Sequence, residues 1–143
     1  MTSTRTAKIN LTERLVGDVM RNGIVCCTPE TPLTEVARLM GEYRIHCVVV
    51  AGLEEDRHGT HLVWGVVSDL DLARAVAAGE ELTAGQIAAT EPVTASPTDA
   101  LSAVARVMGD HDVAHLVVVD DRNPEPIGVI STLDVARAFA EAS

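Results

Sequence analysis

The sequence predicts an α+β fold in which one β-α-β-β-α unit is used twice. Residues 25–51 laid over 93–119 agree at 10 of 27 positions, among them Pro29/Pro97, Leu33/Leu101, Val36-Ala37-Arg38 over Val104-Ala105-Arg106, and Met40-Gly41 over Met108-Gly109. Residues 65–78 laid over 128–141 agree at 9 of 14, so that GVVSDLD returns as GVISTLD. The offset falls from 68 to 63 because the central loop of the first copy, AGLEEDRHGTH, is five residues longer than DDRNPE in the second. Alanine richness inflates such agreement, but the ordered Gly, Ser, Asp and Arg matches do not depend on it, and the chain is a duplication.

Each copy reads the same way in order. A short apolar run, Ile24 to Cys27 or Val93 to Ala95, predicts a strand. Thr31 or Asp99 is placed to cap the helix that follows, with Pro32 at its first position in the first copy. Leu33, Val36, Ala37 and Met40, and their counterparts Leu101, Val104, Ala105 and Met108, recur at i, i+3, i+4 and i+7 and form one apolar helix face. Gly41 and Gly109 fall in the last turn of these helices or near its end. The uninterrupted runs Cys47 to Val50 and Leu116 to Val119 predict strands covered on both faces. After the polar loop comes another strand, Leu62 to Val67 or Ile127 to Ile130. A helix follows, carrying Leu72, Ala75 and Val76 or Val135, Ala138 and Phe139. Short helices at Glu13 to Met20 and Thr83 to Ala88 introduce the copies, which gives a leader at 1–12, a first repeat at 13–80 and a second at 81–143. A repeat of this size is marginal for an independent core. The two are therefore expected to pack sheet to sheet with helices outside, in α/β/β/α layers.

Composition narrows the function. Hydrophobic residues make up 47% of the chain and aromatics 2%, so the core must be aliphatic and stacking platforms for single strands are disfavoured. A formal charge of −10 repels phosphate backbones and argues against nucleic acid as a partner. No apolar run reaches the ~18 residues of a membrane span, and the polar N-terminus does not read as a secretion signal, so the expectation is a cytoplasmic protein without membrane contact. Three cysteines, Cys26, Cys27 and Cys47, make no disulfide framework and read as buried small hydrophobes, with a redox switch as the competing use.

The repeated motif has two readings. Ser68 with Asp71, and Ser131 with Asp134, have the spacing of a capping box, which needs no ligand. Yet Gly65 and Gly128 each lie three residues ahead of the serine, and glycine inside a strand suggests a close approach to the backbone. A helix start also favours phosphate, and a carboxylate there can take two hydrogen bonds from a ribose diol. A nucleotide fits both requirements.

The duplication, the stretch TPETPLTEVARLM, the strand HLVVVD and the endings GVVSDLD and GVISTLD resemble a tandem pair of CBS domains, the Bateman module, over residues 13 to 141. The resemblance implies a stand-alone regulatory module that binds AMP, ADP, ATP or S-adenosylmethionine in clefts between the repeats and requires no cofactor. By position it implies Asp71 and Asp134 as ribose-binding acids, with Ser68 and Ser131 beside them. It also implies that adenine lies near Val48 and Leu116 and the segments around Ile24 and Val93, that Thr31 and Asp99 fall near a position that helps to hold adenosine, and that His46 matches a phosphate-contacting position, with His115 matching the residue after it. It further implies a homodimer, with Leu72, Val76, Val135 and Phe139 as contact residues, and a target protein that the sequence does not name. Val49 and Val117 stand where many members have proline, and Ala114 stands where the first copy has His46. Cationic residues near the clefts are few, namely Arg44, Arg74 and Arg137 with the two histidines, so AMP or S-adenosylmethionine suits the chain better than a triphosphate.

The remaining candidates are weaker. His58, His61 and Asp56 have ligand-like spacing but offer fewer contacts than a dedicated metal site needs. Cys47 beside His46 is no catalytic pair, because neighbours on a strand point to opposite faces. No G-x-S-x-G, P-loop or G-x-G-x-x-G occurs, so a binding module is expected in place of an enzyme. The alternative is a module of the same fold that binds no ligand and serves structure or protein interaction.

Overall fold

The computed structural model describes residues 14–90, 92–122 and 125–142, so the expected leader and Glu13 lie outside the described residues. In chain order the elements are α1 (Val16–Val19), β1 (Arg21–Asn22), β2 (Cys26–Cys27), α2 (Leu33–Tyr43), β3 (Cys47–Asp56), β4 (Gly59–Ser68), α3 (Asp69–Ala77), α4 (Ala84–Ile87), β5 (Thr94–Ala95), α5 (Leu101–His111), β6 (His115–Val119), β7 (Pro126–Ser131) and α6 (Thr132–Ala142). The β-α-β-β-α order occurs twice, each time behind a one-turn helix. None of the described helices is long and apolar enough to cross a membrane.

The elements form two compact units. One is contiguous, 24–92, and holds the sheet β2-β3-β4; the other joins 14–23 to 93–142 and holds the sheet β1-β7-β6-β5. In both, the short strand before the long helix (β2 or β5) runs parallel to the strand after it (β3 or β6), which pairs antiparallel with the next (β4 or β7). The units do not coincide with the sequence repeats, because the lead-in of each copy is built into the unit of the other. Ala84 and Gly85 of α4 donate backbone N–H to the carbonyls of Thr31 (2.8 Å) and Pro29 (2.9 Å). Val16 and Gly17 of α1 donate likewise to Asp99 and Pro97, both at 2.9 Å.

This docking moves the expected caps. Helix α2 has Pro32 as its N-cap and α5 has Ala100, neither bonding through its side chain. Thr31 and Asp99 lie one residue earlier and close the strand–helix loop instead. The Thr31 hydroxyl accepts from Thr28 N–H (3.1 Å) and the Asp99 carboxylate from Ser96 N–H (2.9 Å), while their carbonyls hold the lead-in helices.

The lead-in backbone also explains the strand glycines. A Cβ on Gly65 would stand 2.6 Å from the carbonyl oxygen of Ala89, and one on Gly128 would overlap the carbonyl oxygen of Arg21. Ala89 bridges Val66 through two N–H···O bonds of 2.9 Å, and β1 pairs antiparallel with β7 at Gly128 and Val129. The close approach expected at these glycines is made by the chain's own backbone.

The cores are aliphatic. In the contiguous unit Leu33, Val36, Met40, Val48, Val50, Val67, Ala75 and Ala84 pack together. In the split unit Val16, Leu101, Val104, Met108, Leu116, Val118, Ile130 and Ala138 do so with Ala95. Val49 and Val117, which alternate to the opposite strand face, are also buried, as the unbroken valine runs predict. Leu72 and Val135 pack against these cores, so they do not belong to the outward helix face. The large apolar side chains that these helices expose are Leu70 and Val76 in α3 and Leu133 and Phe139 in α6.

The largest departure is the segment expected as a polar loop after Val50. It continues both strands into one hairpin in strict register from Cys47↔Ser68 to Asp56↔Gly59, closed by Arg57 and His58. His58 N–H donates to Asp56 Oδ1 (2.7 Å), and Gly59 takes φ +115, where glycine is favoured. The second copy has a register shift between Val118 and Val119, so the five-residue difference is one of paired strand length plus a bulge.

Gly65→Ala should lower stability by about 2 kcal/mol, since overpacking against rigid backbone typically costs about 1–3 kcal/mol. Gly41→Ala, in a helix with open space around the new methyl, should raise it by roughly 0.5–1 kcal/mol. Urea melts of the two variants check the contrast, and equal effects would contradict the packing described.

Candidate functional site

Both copies of the repeated motif sit where the last strand of the hairpin turns into a helix. Ser68 is the N-cap of α3: its hydroxyl accepts from Asp71 N–H (3.1 Å), and Asp71 Oδ2 accepts from Ser68 N–H (3.2 Å). The second copy repeats this, with Ser131 Oγ accepting from Asp134 N–H (3.2 Å) and Asp134 Oδ2 accepting from Ser131 N–H (2.8 Å). The capping box is therefore complete twice, and each cap contributes about 1 kcal/mol. It occupies little of each carboxylate. An ionised carboxylate offers about four lone-pair sites, and Oδ2 uses one for the box. All four residues are half-buried, so the acids are fixed in direction yet reachable.

Around this shared frame the copies differ. In both, the first helical residue donates its N–H to the strand entry, Asp69 to the carbonyl of His46 and Thr132 to that of Ala114, each at 2.8 Å. In the first copy the side chains also meet, with His46 Nδ1 2.9 Å from Asp69 Oδ2 and both largely exposed. In the second, His115 stands directly across from Ser131 in the β6–β7 register, the place that Cys47 takes opposite Ser68.

The other expected residues fall elsewhere. Gly65 and Gly128 pair with Val50 and Val118 and lie under the lead-in backbone. Val48 and Leu116 are core residues of their units, with exposures of 0% and 2%, so their side chains face the core. Thr31 lies in the β2–α2 loop with its hydroxyl on Thr28. Among the described residues no group of three or more His, Cys, Asp or Glu is placed to hold a metal.

A family model for the CBS domain matches residues 16–78 and 84–141. The chain belongs to the CBS domain family. A homoserine O-acetyltransferase of Methanocorpusculum labreanum is 32% identical over 114 residues, 79% of this chain but 22% of that protein, so the chain spans about a fifth of the length of such relatives. The CBS domain-containing protein YhcV of Bacillus subtilis is 25% identical over 124 residues, 85% of this chain and 82% of its own. Among solved structures, the CBS domain pair of protein MJ0100 in complex with 5′-methylthioadenosine and S-adenosyl-L-methionine superposes with a TM-score of 0.74 at 25% identity. That match covers 87% of this chain and 98% of the other. The chain thus has the CBS repeat fold as a tandem pair.

Sequence reasoning does not single out Asp69. The available signal is one letter, SDLD in the first CBS repeat against STLD in the second, and it gains meaning only when His46 is seen to meet Asp69.

The cysteines of the first CBS repeat are held as thiols. Burial, with the Asp69 carboxylate adding to it, pushes the Cys47 thiol up to about 11. Of the three cysteines expected to be buried only Cys47 is: Cys26 is exposed and Cys27 half-buried, and desolvation raises both thiols, with a hydrogen bond from Thr31 opposing the rise at Cys27. Near neutrality the raised values keep the cysteines as protonated thiols, which are less reactive than thiolates. The unfolded chain releases the Cys47 proton near the ordinary 9.0, and the folded chain holds it to about 11. The folded state thus binds more protons between those values, and stability falls as pH rises through that window. Chemical denaturation of wild type and Cys47→Val at pH 8, 9.5 and 11 should show an alkaline loss in the wild type that the variant lacks in part.

Proposed function

We propose that this CBS pair is a regulatory module that binds adenosyl ligands at its two Ser-x-x-Asp helix starts and passes occupancy to a partner chain. The observation that carries the reading is the pair of aspartates, Asp71 and Asp134. The capping box fixes each by one oxygen and leaves acceptor capacity that a ribose 2′,3′-diol can fill with two O–H donors. Ser68 and Ser131 hold the helix start, whose positive dipole end favours the electron-rich part of a ligand. The neighbour bound to 5′-methylthioadenosine and S-adenosyl-L-methionine supports this ligand class, since both compounds share the adenosine that such a seat reads. With a net charge of −10, the chain suits AMP or S-adenosylmethionine better than ATP.

The module acts by population shift: ligand stabilises the conformation that binds it best, and the surplus affinity sets how far the balance moves. The module is a homodimer through the outward helix residues Leu70, Val76, Leu133 and Phe139, which are 50–68% exposed and apolar. Its site is cytoplasmic, and its output goes to a partner protein.

A second reading has one observation behind it. Both motifs complete a capping box without any ligand, so a structural CBS module would keep the same residues. Asparagine separates the two, because it retains an oxygen for the box and loses the charged acceptor. Millimolar AMP, 5′-methylthioadenosine or S-adenosylmethionine should raise the Tm of the wild type. At a ligand concentration of 100 Kd the stabilisation is about 2.7 kcal/mol. The double variant Asp71→Asn, Asp134→Asn should melt within about 1 kcal/mol of wild type without ligand and gain nothing on addition. A wild type that none of these compounds stabilises would leave the structural reading standing.

A further inference from the structure

We propose that the two motif copies select adenosyl ligands by the charge of the 5′ substituent, with Asp69 as the selecting residue. The first copy takes an uncharged or cationic substituent, a thioether or sulfonium, and the second takes a 5′-phosphate. This rests on the adenosyl reading above and assigns a ligand class to each seat.

The backbone frame is the same in both copies, which isolates the side-chain difference. The first residue of α3 and of α6 makes the same 2.8 Å N–H···O bond to the strand entry, and the third residue closes the same capping box. At that first position the first copy has a carboxylate and the second a hydroxyl, Asp69 against Thr132. Asp69 and Asp71 thus place two acids in the first turn of α3, whereas the first turn of α6 has Asp134 alone.

A helix start presents roughly half a positive charge, which favours phosphate unless an acid is already there. Asp69 supplies that acid. Its side chain is half exposed and bonded to His46, so it stands at the surface of the turn. Its field reaches the motif's cross-strand neighbour, since it contributes to the raised value of Cys47 opposite Ser68. A phosphate entering the first seat meets two carboxylates, with the His46 imidazole engaged by Asp69, and is repelled, while a sulfonium is attracted. The second seat offers the Thr132 hydroxyl with His115 across the strand from Ser131, and one carboxylate fewer. Adenine and ribose are common to all the ligands considered, so the 5′ charge is what the two seats can tell apart.

Titration calorimetry on single-site proteins tests this. Asp134→Asn leaves the first seat and Asp71→Asn leaves the second, and each is titrated with AMP, 5′-methylthioadenosine and S-adenosylmethionine. The first seat should prefer S-adenosylmethionine to AMP, and the second should reverse that order. Adding Asp69→Asn to the first-seat protein should move the ratio of affinities toward AMP by about fivefold, the effect of one exposed unit charge at roughly 4 Å. Thr132→Asp in the second-seat protein should move it the other way by a similar factor. Both shifts should shrink in 0.5 M salt. Far-UV circular dichroism confirms that each variant is folded. Binding with ratios unchanged by either substitution overturns charge selection and leaves the adenosyl reading intact. No binding of any of the three compounds to the wild type overturns both.

Discussion

Two backbone crossings hold each half of this fold to the segment that introduces the other. The carbonyls of Ala89 and Arg21 lie so near Gly65 and Gly128 that any side chain there would collide with them. Much else depends on this contact. The segments around Ala89 and Arg21 are brought in by α4 and α1, whose N–H groups bond the carbonyls of the two strand–helix loops. Those loops are the ones that open α2 and α5, whose apolar faces fill the two cores. The glycines, the lead-in helices and the loop residues Thr31 and Asp99 form one connected arrangement, made twice.

The same economy governs the motif. A serine and an aspartate stabilise a helix start by satisfying each other's N–H groups, and that fixes the carboxylate without exhausting it. Under the proposed function, local folding and ligand recognition would not compete for these residues. The structural role sets the direction in which the acid points, and the acceptor sites it leaves are those the proposed ligand would fill. What distinguishes the copies lies one residue after the cap, where the helix tolerates acid or hydroxyl and the local charge changes with the choice.

The repeats, the element order, the aliphatic cores and the two motifs were legible in the sequence because each depends on local periodicity or on exact recurrence. Leu33, Val36 and Met40 announce their helix face by spacing alone. The lead-in exchange was not legible, since nothing in Ala84 to Ile87 says which sheet it will bond. The same missing information misplaced the caps, because Thr31 and Asp99 look like caps until their carbonyls are seen to be engaged. It also left Gly65 and Gly128 without their true neighbour. The long hairpin was misread for a different reason. Acidic and histidine residues lower strand propensity, but cross-strand register carried down from the valines overrides it. Alternation along a strand puts Val48 and Leu116 on the core face and their neighbours Val49 and Val117 on the other.

The division into a contiguous and a split unit also bears on how the chain is made. Residues 24–92 hold every strand and helix of their unit, so that unit can close as soon as Ala89 is available to cross Gly65. Arg21 and Asn22, although synthesised earlier, have no pairing partner until Gly128 and Val129 arrive more than a hundred residues later. Residues 24–92 can thus close before Arg21 and Asn22 are paired, and β7, which pairs them, is the last of the described strands. One unit is in effect threaded into the interior of the other's sequence, so the order of translation and the order of assembly differ.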